Sequence, residues 1–297
     1  MILVPKLPKK VQFVLNYSFP QIKQLCKKTK AQAFVGGRPG HDKETLFCWL
    51  LVKKVTNWDY RTIASMAGVS HPTLIRANDF FLKRRVYEKI FLSLISRAYK
   101  QGLIAAKFVA LDSSFVHTFS SRGEIGSEGW NEHKQGYGFK LHLLIDCETK
   151  FPIALIVTNG LANDGTLAIP LLKKAKRWLK KTDYVLADKG YDSSDIVQWI
   201  VQALTAKAGI PIKRVSKRGK NYTWEGAWRN FQLKAKGRSL KRSIYNRRTA
   251  VERVFSVLKR TYHLGKEETR GILNFAKNVY LSLICYMLKL FDITKTN

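Results

Sequence analysis

The chain has 297 residues, 45% of them hydrophobic and 25% charged, which is enough for one large domain or two small ones around a real core. Fifty-three Lys and Arg against 21 Asp and Glu leave a net charge of +32, with an isoelectric point near 10.1, and such an excess points to a polyanionic partner. Four cysteines far apart in sequence (Cys26, Cys48, Cys147, Cys285) fit reduced core thiols, not a zinc site or a disulfide frame. The most apolar run, Asn278 to Leu288, has 11 uncharged residues, too few to span a bilayer, and the start MILVPKLPKK lacks the apolar core of a signal peptide.

Residues 1 to about 40 are basic and broken by Pro5, Pro8, Pro20 and the turn Gly36-Gly37-Arg38-Pro39-Gly40, so an arm with one short helix near Phe19–Lys28 is expected. From His41 the pattern becomes helical, with helices predicted at Glu44–Lys54, Asp59–Ala67, Ser70–Leu82 and Val86–Tyr99. Within it, TIASMAGVSHPTLIRANDFF resembles a helix-turn-helix over about residues 59–82. Ala64 falls where two helices must approach closely, Gly68 opens the turn, and Leu74 points inward. Ser70 is placed to cap the second helix and Pro72 lies in its first turn, where a missing N–H is tolerated. His71, Thr73 and Arg76 would then face a major groove; an ordinary helical hairpin is the competing reading. A boundary is expected near Lys100-Gln101-Gly102, dividing a helical domain (1–100) from a second domain (101–297).

Beyond that boundary the period changes. Lys107–Val116, Gly138–Asp146 and Phe151–Asn159 are short, β-rich apolar runs, the last two joined by a tight turn at Cys147–Lys150. Asp164–Lys176 reads as a helix, Asp183–Asp188 as a buried strand, Ser193–Leu204 as a helix and Gly209–Val215 as a further strand. A basic stretch with Trp224 and Trp228 follows. Next comes YNRRTAVERVFSVLK (Tyr245–Lys259), then a last helix from about Leu273 to Phe291, which is expected to cover the sheet. The order predicts an α/β domain, a ribonuclease-H-like mixed sheet flanked by helices. Lys140 and His142 alternate with Phe139 and Leu141, so they share a strand face, read here as solvated. His117, His133 and His142 lack metal-ligand spacing.

In a fold of that kind the strands carrying Asp112 and Asp188 are adjacent, and Glu252 sits on the following helix. Three neighbouring carboxylates repel one another unless a cation lies between them, and hard oxygen donors suit Mg²⁺, with Mn²⁺ as substitute. Two such ions would activate a water or 3′-hydroxyl and stabilise the departing oxygen in an in-line displacement at phosphorus. Singly, Asp112 could cap a turn and Asp188 could belong to a strand-to-helix loop. At about 100° per residue, Tyr245, Arg248, Glu252 and Lys259 share one narrow helix face, flanked by the apolar stripe Val251, Val254, Phe255 and Leu258. The plain alternative for that face is a solvated surface with an i, i+4 pair between Arg248 and Glu252.

These residues resemble the bacterial insertion-sequence transposases of the DDE class, in the branch that bears a Tyr-x2-Arg-x3-Glu-x6-Lys signature. Tyr245, Arg248, Glu252 and Lys259 match it at every spacing, and LDSSF and LADKGYDS resemble the two aspartate motifs. The resemblance spans about residues 105 to 290. It implies catalytic metal ligands at Asp112, Asp188 and Glu252, phosphate contacts from Tyr245, Arg248 and Lys259, and two Mg²⁺ ions. It further implies DNA partners (terminal inverted repeats and target), a homodimer on paired ends, and a cytoplasmic, nucleoid-associated bacterial protein. Some relatives insert a large β-domain before the Glu; the 63 residues between Asp188 and Glu252 leave room only for a small one. A related nuclease, or a regulator that keeps only DNA binding, is the rival reading.

Overall fold

The computed structural model describes residues 41–120, 123, 125–127, 129–211, 242–265 and 270–293. The expected N-terminal arm and its short helix, Trp224, Trp228 and most of the expected strand Gly209–Val215 lie outside those residues. Two compact units share the chain: Met1–Ala98 with Val257–Asn297, and Tyr99–Ser256.

In the first unit, polar caps set the helix limits. Helix α1 (Lys43–Thr56) starts where the Asp42 carboxylate accepts from Thr45 N at 2.8 Å, and ends at Asn57 in the left-handed region. Helix α2 (Tyr60–Ala67) is capped by Asp59, which accepts from Arg61 N and Thr62 N, and stops at Gly68 with φ 65°. Helix α3 (His71–Lys83) follows two residues later. Ser70 occupies its cap position, yet the Ser70 hydroxyl bonds the Thr73 hydroxyl at 2.8 Å instead of a backbone N–H. Leu74 is fully buried and packs with Leu46, Val52, Ile63 and Ala64 into one apolar cluster. Helix α4 (Val86–Lys100) completes the run.

The last helix differs from expectation. Helix α9, Ile272–Ile293, groups with this unit and packs against α1 instead of covering the sheet. Cys285 Sγ lies 3.9 Å from Leu51 O, and Lys277 pairs with Asp79. Its apolar period announced a buried helix; the partner, more than 200 residues upstream, has no local signature.

The second unit is built on five strands in the order β3-β2-β1-β4-β5. Strands β1 (Phe108–His117), β2 (Gly138–Asp146) and β3 (Pro152–Asn159) form an antiparallel meander. The β2–β3 turn is tightened by Asp146, whose Oδ1 accepts from Glu148 N and Thr149 N. Strand β4 (Tyr184–Leu186) runs parallel to β1, and β5 (Lys207–Gly209) parallel to β4. Helix α5 (Asp164–Ala175) packs on β2 and β3, and α6 (Ser194–Leu204) precedes β5.

The segment Tyr245–Lys259 is not one α-helix. A four-residue helix, α7 (Arg242–Tyr245), runs into a 3-10 turn at Asn246–Arg248, and α8 (Thr249–Thr261) starts only then. Asn246 O accepts from Thr249 Oγ1 at 2.9 Å, and this tighter first turn replaces the expected uniform winding. The apolar stripe Val251, Val254, Phe255 and Leu258 is buried as its spacing predicts.

Candidate active site

The parallel register of β1 and β4 brings two aspartates to one sheet edge. Their last paired residues are Ala110 and Leu186, and Asp112 and Asp188 each lie two residues further along. Asp112 is largely covered, with 19% of its side chain exposed. Its Oδ1 accepts from Ser113 N at 2.8 Å, and its Oδ2 takes a bond from Arg248 Nη1 at 3.1 Å. The same guanidinium donates through Nη2 to Glu252 Oε1 at 2.7 Å. The i, i+4 pair therefore exists, but it is one arm of a bridge that reaches 136 residues back in the sequence. Arg248 Nε is buried without a hydrogen-bond partner.

Electrostatics across this group are unbalanced. Burial pushes the Asp112 carboxyl up to about 6, aided by repulsion from Asp188 and Glu252 and opposed by Ser113 N–H and Arg248. Arg248, one cation between two acids, is held above its usual range against the effect of burial. The guanidinium thus gains from the arrangement, while Asp112 does not recover its solvation. Tyr245 lies beside it, with the Arg248 guanidinium 5.7 Å from its ring centroid.

Asp188 also closes a turn. It caps the 3-10 segment Lys189–Tyr191, its Oδ1 accepting from Gly190 N at 2.7 Å. A Cβ on Gly190 would stand 2.8 Å from that same oxygen, so glycine leaves the carboxylate its position. Tyr191 is buried, and its phenol is held well above the ordinary range by burial and by Asp164, Asp112 and Asp188, against a hydrogen bond with Ser113. Neither Gly190 nor Tyr191 stands out from periodicity; the Asp-x-Gly spacing of a side-chain-capped turn was the available signal for Gly190.

Lys140 and His142 do share a face, but it is covered, not solvated, because α5 packs on it. Lys140 Nζ donates to Asp164 Oδ1 at 3.0 Å and to Ala162 O at 2.8 Å. His142 is 1% exposed, bonds Thr158 Oγ1 at 2.8 Å, and is pushed down to about 4 by burial.

The remaining predicted positions lie in the other unit. Lys259 sits in the last turn of α8, half-buried. On α3, Arg76 is exposed, whereas Thr73 is half-buried with its hydroxyl engaged by Ser70.

Three carboxylates, one of them buried at the expense of its ionised form, are the donors a hard divalent cation takes. Among the described residues, however, no three such side chains stand close enough together to hold a metal ion as they are.

Residues 105–288 match the family model described as the transposase DDE domain. Across 97% of this chain and 74% of the other, the structure is similar to the piggyBac transposase synaptic complex with hairpin DNA, at 11% identity and a TM-score of 0.51, a likeness of fold. A Mos1 transposase paired-end complex also matches, over 88% of this chain and 100% of that one, at 10% identity; its TM-score of 0.27 is too low to carry an argument. None of the curated proteins compared with the chain matches it. No helix among the described residues is long and apolar enough to cross a membrane.

Proposed function

The chain belongs to the transposase DDE domain family, and on that footing we propose that it cuts DNA at transposon ends and joins the freed 3′-hydroxyl to target DNA. The observation that carries the reading is the meeting of Asp112 and Asp188 at matched positions of two parallel strands, with Glu252 linked to Asp112 through Arg248. The strand order supports a ribonuclease-H-like catalytic domain. The Tyr245, Arg248, Glu252 and Lys259 spacing supports the bacterial insertion-sequence branch.

Asp112, Asp188 and Glu252 would hold two Mg²⁺ ions, which when bound lower the pKa of the attacking water or hydroxyl and stabilise the leaving oxygen. The chain's own residues do the placing. Gly190 N–H fixes the turn under Asp188, and Ser113 N–H orients Asp112. Arg248 offers a planar guanidinium beside the acids, and its fork of N–H donors suits phosphate oxygens. Tyr245 and Lys259 would meet neighbouring phosphates. Helices α2 and α3 form a helix-turn-helix that recognises the terminal repeats through Thr73 and Arg76, with Arg76 already exposed. Paired ends would be held by a homodimer, in the cytoplasm and on the nucleoid.

The experiment is an in vitro reaction on labelled element-end DNA with Mg²⁺, comparing wild type and Glu252→Gln. Nicking at the element boundary with joined products, both lost in the variant, is expected. Cleavage without joining would make the protein a nuclease, and equal activity in the variant would remove Glu252 from the site.

A further inference from the structure

A dense run of cations lies on the sheet-containing unit, away from the acids. Between Asp164 and Asp183 the chain has no acidic residue, and six of the nine residues from Lys173 to Lys181 are Lys or Arg. Helix α5 ends there, and a 3-10 turn at Lys176–Trp178 follows. Leu172, Ala175, Trp178 and Leu179 are buried, which leaves all six cations on the exposed side. The turn is pinned. Leu179 N donates to Lys176 O, Thr182 N to Leu179 O, and the buried Thr182 hydroxyl to Ala106 O at 2.8 Å. Lys107 and Lys207 join the run, because Asp183 N donates to Lys107 O at 2.8 Å and Lys207 N to Asp183 O at 2.9 Å. Both are exposed.

Part of this charge has a local use. Lys173 and Lys174 stand in the last turn of α5, where cations complement the helix dipole, and Lys174 Nζ reaches Leu155 O at 3.4 Å. Arg177 stacks over the Trp178 ring at 4.2 Å, a contact that does not use its N–H donors. Lys176, Lys180 and Lys181 have no such use. Among the described residues, the side chain of none of the three makes a hydrogen bond, ion pair or ring contact, and Asp183 beside them makes no ion pair. Like charges held this close repel one another. The arrangement therefore costs stability until an anion from outside the chain meets it.

We propose that this ridge, Lys176, Lys180 and Lys181 with Lys107 and Lys207, holds the phosphate backbone of a DNA duplex at a distance from the catalytic acids. The ridge leads into the start of β4, whereas Asp188 follows its end. At ~3.3 Å per residue, roughly 15 Å of chain separates Asp183 from Asp188. A duplex seated on the ridge is therefore held away from the phosphate being cut. All five side chains are lysines, point charges that neutralise phosphates without reading bases. An anionic lipid surface would want apolar side chains beside the cations, and here Leu172, Trp178 and Leu179 are buried. The identity of the partner rests on the DNA reading above; the contact itself does not depend on strand cutting.

The test measures affinity of the full chain for a random duplex in EDTA over a range of potassium chloride, so that no chemistry contributes. The ridge variant combines Lys176→Gln with Lys180→Gln. The charge-matched control combines Lys134→Gln with Lys289→Gln, two exposed lysines elsewhere. Two lost phosphate contacts should make the salt slope shallower by about two and weaken binding at least ~10-fold at ~0.1 M salt, in the ridge variant alone. Its thermal midpoint should hold or rise as repulsion is relieved. An unchanged slope, or the same loss in the control, would overturn the ridge as a DNA contact. A lower midpoint would show that these lysines already have acceptors within the fold, and would overturn it as well. Element-end cleavage in Mg²⁺ is a separate readout: its absence from wild type, with the slope change intact, would sink the catalytic reading and leave this one standing.

Discussion

Asp112→Asn should stabilise the metal-free protein at neutral pH while abolishing cleavage. The folded carboxyl titrates near 6 against 3.8 for a model aspartate. The folded state therefore holds the proton more tightly than the unfolded chain. Ionisation disfavours folding above about pH 6, and this handicap disappears as the pH falls below about 4. About 2 pKa units correspond to ~3 kcal/mol, to be reduced by the remaining solvent access. Asparagine keeps the acceptor for Ser113 N–H and removes the charge. The attraction of Arg248 for the carboxylate is already counted in the raised value, so only the solvent-access discount remains to be taken off. The net expectation is a gain of ~1–2 kcal/mol at pH 8, or roughly 2–8 °C in Tm for a chain of this size. The gain should vanish near pH 4. Thermal and urea unfolding in EDTA from pH 8 to pH 4 measure it directly. Adding MgCl2 to ~100 times its Kd should reverse the order, raising wild type by ~2.7 kcal/mol and leaving the variant nearly unmoved. A variant less stable than wild type by 1 kcal/mol or more at pH 8 would refute the argument, because Arg248 would then have over-compensated burial.

Two further outcomes test the supports around the sites. Gly190→Ala places a methyl 2.8 Å from Asp188 Oδ1, and the carboxylate, as a side-chain end, can yield at little energetic cost. Stability should change by less than ~1 kcal/mol while cleavage falls ~10–100-fold with end binding retained; undiminished cleavage would free Asp188 from any need for that position. Asn78 accepts from the buried hydroxyl of Tyr87 and donates to Tyr60 at 2.8 Å. Asn78→Ala should lower unfolding free energy by ~2–3 kcal/mol, and adding Tyr87→Phe should recover part of it. A denaturant midpoint unmoved by Asn78→Ala would show that the Tyr87 hydroxyl finds another acceptor.

What could be read from residues alone was whatever is written in a local period. The β1–β3 meander, helices α1–α4 and the burial of Val251, Val254, Phe255 and Leu258 follow from alternation or helical spacing. The positions of Asp112 and Asp188 at one edge followed once the element order was in hand. Other features depend on partners the period does not encode. Nothing in Tyr245–Arg248 breaks a helix by composition, so the 3-10 turn was invisible. Alternation put Lys140 and His142 on one face but could not say that α5 packs there. The bridge from Arg248 to Asp112 joins strand and turn across 136 residues, and only its other arm, to Glu252, has a spacing to recognise.

The pairing of α1 with α9 has a consequence for synthesis. Leu51 and Cys285, in contact within the helical unit, are separated by 234 residues. At ~5–20 residues per second, α1–α4 wait on the order of tens of seconds with the surface meant for α9 uncovered. The whole of Tyr99–Ser256 is made in that interval. The sheet-containing unit can therefore finish folding before the helical unit is able to close. A chain interrupted before Ile272 carries the acids but cannot complete the unit that holds α2 and α3. Only a fully made chain can therefore complete the helical unit.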